Sequence, residues 1–154
     1  MAISLGPSGL VLNGDTMGHY EEGQWQVYLY NSSSGGTSVG GGYVGYIRVG
    51  DLVTLHGQAA FTNAAAAIGG VATYINLPFT PRNYGGQNSS DLIISTWNTA
   101  LNMWEEGYPS ISMNPGATRH AFYRHMYNGA DNMTGSHWGN GGRIQFNNQV
   151  YMTS

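Results

Sequence analysis

The strongest constraint on the fold is one continuous run, Tyr43-Val44-Gly45-Tyr46-Ile47-Arg48-Val49-Gly50-Asp51-Leu52-Val53-Thr54-Leu55-His56. Two stretches of β-branched and aromatic residues flank Gly50-Asp51, a pair suited to a two-residue hairpin turn that needs positive φ. In that register Val44, Tyr46, Val53 and Leu55 share one face, which should point into a core. The rest of the chain repeats the theme. Short alternating runs near residues 9–12, 24–30, 43–49, 52–61, 70–77, 92–97, 110–113, 120–127 and 143–151 are separated by Gly, Asn, Ser and Pro clusters, which is the all-β pattern. The alanine run at residues 63–68 is too short for a stable isolated helix, so it reads as a loop with at most one helical turn.

Composition excludes several functions. Charged residues are 8% of the chain, against the usual ~25%. Lysine is absent, and the five basic residues are Arg48, Arg82, Arg119, Arg124 and Arg143. Set against eight carboxylates for a net charge of −3, they supply no basic stripe for nucleic-acid phosphates. With no cysteine there is no disulfide framework, thiolate zinc site or thiol nucleophile. The first residues lack the basic and apolar regions of a signal peptide, and no apolar run is long enough for membrane insertion. The glycosylation-type sequons at Asn31, Asn88 and Asn132 therefore read as chance matches. A chain of 16.5 kDa exposes on the order of 7,500 Å², more than five arginines and eight carboxylates can cover. Few charges favour association, so a homo-oligomer is expected.

No catalytic set can be assigned. Glu21-Glu22 and Glu105-Glu106 are carboxylate pairs, but adjacent strand residues point to opposite faces, whereas a glycosidase needs its acids facing each other ~5–9.5 Å apart. They read as turn carboxylates. In residues 119–127, His120, Phe122, Arg124 and Met126 fall on one strand face and His125 on the other. That parity defeats a two-histidine metal site, and a polar strand or interface strip is expected instead. No Gly-x-Ser-x-Gly elbow and no phosphate-binding loop is present. No catalytic residue, metal or cofactor is expected.

Aromatic residues are the richest chemistry, with eleven Tyr, four Trp and four Phe. Residues 97–108 gather Trp97, Asn98, Asn102, Trp104, Glu105, Glu106 and Tyr108 between two expected strands, and Trp138 lies in a second Gly-rich segment. Trp97, Trp104, Glu105, Tyr108 and Trp138 are the candidate glycan-binding residues. Rings stack on the C–H face of a sugar while amides and carboxylates bond its hydroxyls. The same aromatics suit a subunit interface or a core, and sequence leaves the three readings open.

The order of motifs resembles a family of bacteriophage tail-fibre C-terminal domains. Leu10-Val11-Leu12-Asn13-Gly14-Asp15-Thr16 precedes Tyr20-Glu21-Glu22-Gly23-Gln24-Trp25, similar to the family's Tyr-Glu-Glu-Gly-Thr-Trp opening. The hairpin, Asn76-Leu77-Pro78-Phe79, Ile144-Gln145-Phe146 and the ending Tyr151-Met152-Thr153 follow in the family's order. The resemblance implies a single β-sandwich or jelly-roll-like domain over residues 21–154, trimeric, and displayed on the virion to bind host-surface glycan. The protein would be assembled in the host cytoplasm. Residues 1–20 precede that domain, and their apolar Ile3, Leu5, Leu10, Val11 and Leu12 are expected to attach it to another virion protein. A structural role as a capsid decoration (cement or head-fibre) protein is the alternative.

Overall fold

A computed structural model describes residues 3–6, 9–12, 15–16, 20–82, 91–99, 108–126 and 129–153. The chain is all-β, as expected. The arm strands β1 (Ile3–Gly6), β2 (Gly9–Leu12) and β3 (Asp15–Thr16) form their own antiparallel sheet. Its register sets Ile3 opposite Leu12 and Leu5 opposite Leu10.

Every other described strand belongs to one antiparallel sheet. In chain order these are β4 (Tyr20–Tyr30), β5 (Ser38–Val49), β6 (Leu52–Ala60), β7 (Tyr74–Asn76), β8 (Asp91–Ile93), β9 (Ser95–Thr99), β10 (Tyr108–Ser112), β11 (Arg119–Met126), β12 (Gly129–Asn132) and β13 (Trp138–Met152). Their spatial order is β8-β10-β11-β7-β4-β5-β6-β13-β9, with β12 added beside β11. The two ends of that order, β8 and β9, are separated in the chain by Ile94 alone. The sheet must therefore curl until its edges meet. The expected sandwich-like or jelly-roll-like domain is built from a single sheet rolled nearly into a barrel.

Alternation explains the core. On β4, Trp25, Val27 and Leu29 are buried while Gln24, Gln26, Tyr28 and Tyr30 face outward. The hairpin adopts the expected register, with Val49 opposite Leu52 and Gly50 at φ 59°. Val44, Val53 and Leu55 are buried, and Tyr46 packs against the same core. Bulges between Gln26 and Tyr28 and between Phe146 and Gln149 bend their strands and supply curvature for closure. The alanine run forms one helical turn, Ala64–Ile68, that presses Ala64 and Ile68 into the core.

Other boundaries differ from expectation. The strand expected over 70–77 is only Tyr74–Asn76, because Thr73 turns inward and its backbone bonds Met133 and Phe122. The Gly-Ala-Asp-Asn strand β12 carries no alternating apolar signal, yet it pairs with β11 from Met126 to Tyr123.

His120 lies on the inward face of β11 beside Phe122, 1% exposed, and its Nδ1 has no hydrogen-bond partner. Burial pulls its pKa down from 6.5 to about 4. The folded state holds the neutral ring, while the unfolded chain takes up a proton below pH 6.5. This residue's contribution is therefore fully present above pH 6.5 and is lost as the pH falls toward 4, by about 3 kcal/mol in all. Urea unfolding from pH 7 to 4 should show the wild type losing stability across that window. The His120→Phe variant should lose about 3 kcal/mol less over the same range.

Candidate recognition surface

Rolling the sheet creates two outer faces with different chemistry. The first spans β8, β10, β11, β7 and β4. Tyr30 on β4 stands opposite Tyr74 on β7, and Tyr74 opposite Ala121 on β11. Tyr123 stands opposite Ser110 on β10, and His125 opposite Tyr108. The outward positions thus form a band of Tyr28, Tyr30, Tyr74, Tyr123, His125 and Tyr108, each half-buried or exposed. The Tyr28 and Tyr30 rings are 6.1 Å apart, and the Arg119 guanidinium lies 3.8 Å from the Tyr30 ring centroid. Arg119 also donates to the carbonyls of Ser32 and Gly35, which fixes the turn after β4. The Asn76 amide accepts from the Tyr28 N–H at 2.7 Å and donates to the Gln26 carbonyl at 3.0 Å, which fills the bulge in β4. The band is held by backbone pairing, a cation–π contact and a side-chain amide rung.

At one end of the band Tyr108 stacks on His125, with centroids 5.0 Å apart and planes at 15°. Ser110 Oγ lies 2.7 Å from His125 Nε2, and Asp91 Oδ2 lies 3.0 Å from the same nitrogen. A serine–histidine–carboxylate relay needs the hydroxyl and the carboxylate on different ring nitrogens. The shared nitrogen makes this an orienting cluster that holds the Tyr108–His125 stack. Among the described residues, no group of three or more His, Asp or Glu is placed to hold a metal ion.

The second outer face spans β4, β5, β6 and β13. One row across it is Tyr20, Val49, Leu52 and Met152, and the next is Glu22, Ile47, Thr54 and Val150. Tyr20, Val49, Leu52, Val150 and Met152 are all exposed, so this end of the sheet presents a contiguous apolar patch. The Tyr-Glu-Glu-Gly motif has a local logic here. Glu21 and Glu22 sit in a strand rather than the expected turn and point to opposite faces. Tyr46 lies over Gly23, where a Cβ would meet its hydroxyl at 2.7 Å, and donates to Glu21 at 2.6 Å. That bond raises the Tyr46 pKa. Tyr20 donates to Glu22 at 2.8 Å.

The sequence-predicted glycan residues do not assemble as expected. Trp138 is 1% exposed and forms edge-to-face pairs with Phe61 and Phe122, while its indole N–H donates to Thr73 Oγ1 at 3.3 Å. It is a core residue and offers no face to a ligand. Trp97 lies in β9 opposite Arg143, where the expected strand over 92–97 places it. Trp104 and Glu105 lie outside the described residues. Tyr108 is exposed and joins the tyrosine band. The signal missed in the sequence is the period-two spacing of Tyr28 and Tyr30, with Tyr74 and Tyr123 at equivalent outward positions. The arm residues Ile3, Leu5, Leu10, Val11 and Leu12 all lie in β1 and β2.

No protein-family model, curated protein or solved structure matches the chain. Core and surface aromatics separate by stability. Trp138→Ala should cost about 3–5 kcal/mol, as for large core aromatics. Tyr108→Ala should stay within about 1 kcal/mol, since it loses one exposed stacking contact. Chemical denaturation of the two variants checks the contrast.

Proposed function

We propose that the chain is a trimeric phage virion surface module, at a fibre or spike tip, that recognises host-surface glycan without catalysing a reaction. The observation that carries this reading is the tyrosine band. Tyrosine supplies rigid contact area at low entropy cost together with a hydrogen-bonding hydroxyl, which suits recognition surfaces. Neighbouring amides and an arginine add directional bonds. The motif order shared with tail-fibre C-terminal domains supports placement on the virion. The arm residues Ile3, Leu5, Leu10, Val11 and Leu12 attach the module to another virion protein.

The apolar patch supports the oligomer. Monomeric proteins seldom leave a large contiguous apolar area exposed, and Val49, Leu52, Val150 and Met152 present one across three strands. In this reading the patch is buried between protomers while the tyrosine band stays outside. The self-paired arm sheet also suits a decoration protein that clamps capsid subunits. Immunogold labelling of particles separates the two. Label at fibre tips supports recognition, and label spread over the capsid supports decoration.

Two outcomes test the main reading. The solution mass should be three times 16.5 kDa, and the pair Leu52→Asp with Met152→Asp should reduce it to one chain. Tyr30→Ala with Tyr74→Ala should weaken binding to host cells or a glycan array at least tenfold while the mass stays unchanged. Unaltered binding by that double variant would refute the assigned face.

A further inference from the structure

A cavity of about 180 Å³ opens where β7 and β11 part. The ladder between them runs from Tyr74 opposite Ala121 to Asn76 opposite Arg119 and stops there. Beyond that pair, residues 77–80 and residues 117–118 no longer pair, and the cavity lies between them. Both walls are held in place. The Tyr151 hydroxyl accepts from the Phe79 N–H at 3.2 Å and donates to the Phe79 carbonyl at 3.1 Å. Thr153 Oγ1 donates to the Thr80 carbonyl at 2.8 Å. The Phe79 ring packs edge-to-face on Tyr46, with centroids 5.0 Å apart. On the other wall, the Ala117 N–H closes a turn onto the Asn114 carbonyl at 3.1 Å. The cavity is therefore preformed. His120 completes its lining. This residue is 1% exposed, and among the described residues nothing hydrogen-bonds its ring. Nδ1 is fully enclosed, so Nε2 is the ring nitrogen left to a ligand.

We propose that this cavity binds one neutral phenol ring, carried by a free monocyclic phenol or by a tyrosine side chain. Size sets the ring count. An apolar cavity of about 150 Å³ takes one benzene ring, whereas drug-sized ligands need roughly 300 Å³ or more. Leu77, Pro78, Phe79 and Ala117 supply apolar wall, from which a ring displaces water. His120 sets the substituent. A neutral imidazole donates at one nitrogen and accepts at the other, and a hydroxyl does both, so a phenol pairs with Nε2 in either tautomer. Among the described residues, no charged side chain lines the cavity. The un-ionised phenol, whose pKa is about 10, is therefore the form bound. The lining shares no residue with the tyrosine band or the apolar patch, and the assignment does not rest on the host-recognition reading.

Methyl-detected NMR titration of the full chain at pH 7 tests the proposal. The probes are p-cresol, toluene as the ring without a hydroxyl, and N-acetyl-L-tyrosinamide as the side chain on a backbone. p-Cresol should shift the methyls of Leu77, Thr80, Ala117 and Thr118 and bind about tenfold more tightly than toluene. His120→Phe should erase that preference, because it keeps a ring in place and removes the nitrogen. Ala117 is half-buried, so Ala117→Leu offers a second route that fills the cavity from its rim. It should lose p-cresol binding with its circular dichroism and melting curve unchanged. Shifts with N-acetyl-L-tyrosinamide as well would extend the site to tyrosine side chains, and shifts with p-cresol alone would restrict it to free phenols. Either result supports a phenol site. Absence of shifts at those four residues, toluene binding as tightly as p-cresol, or undiminished p-cresol affinity in both variants would overturn it.

Discussion

The structure depends on one covalent constraint, the run from Asp91 to Thr99. Its first three residues pair with β10 and its last five follow β13, with Ile94 alone between them. These are the two edges of the sheet, so they cannot separate by more than the reach of one residue. Ile94 is buried, and its N–H reaches the Pro109 carbonyl at 3.4 Å, which continues the β10 ladder into the corner. A long open sheet would expose two edges to other chains. Here the edge problem is solved at the corner, by a strand that changes partners partway along.

Closure decides what the two outer surfaces hold. Once alternate residues of each strand point into one shared core, the remaining positions are sorted by strand order rather than by sequence. Tyr30 and Tyr74 are distant in the chain and become lateral neighbours because β4 and β7 are adjacent, and Tyr123 lies two residues along β11 from Tyr74's partner Ala121. Glu22, Gln24 and His56 converge by the same rule on β4 and β6, with Gly45 between them. The β4 strand serves both faces, with Glu22 and Gln24 at its first half and Tyr28 and Tyr30 at its second.

This sorting also marks what could be read from the sequence. The hairpin was legible to the residue, because its alternation and its Gly50-Asp51 turn act over neighbouring positions. The all-β class was legible for the same reason. The tyrosine band was not, since it exists only after non-local pairing. Trp138 misled because its glycine neighbours look like a loop, whereas burial against Phe61 and Phe122 outweighs that local signal. The strand β12 was invisible because Gly129-Ala130-Asp131-Asn132 has little intrinsic strand preference. Its place is fixed by backbone pairing to β11 and by the contact of Asp131 with Arg124 at 3.2 Å.

The scarcity of charge follows from the same architecture. Outward positions on a rolled sheet have lateral neighbours on both sides, so a charged side chain there must be paired or repelled. Tyrosine, asparagine and glutamine tolerate half-burial while keeping a hydrogen bond. The described ion pairs sit where the sheet ends or turns. Arg82 meets Asp51 at the hairpin turn at 2.8 Å, and Arg124 meets Asp131 beside the short added strand. Arg119 is the cation placed inside the tyrosine band, and its charge rests on the Tyr30 ring and on two carbonyls rather than on a carboxylate. A positive group stabilised by neutral partners leaves the surrounding tyrosine hydroxyls uncommitted to it. The proposed recognition of a ligand through rings and hydroxyls rather than through charge rests on that condition.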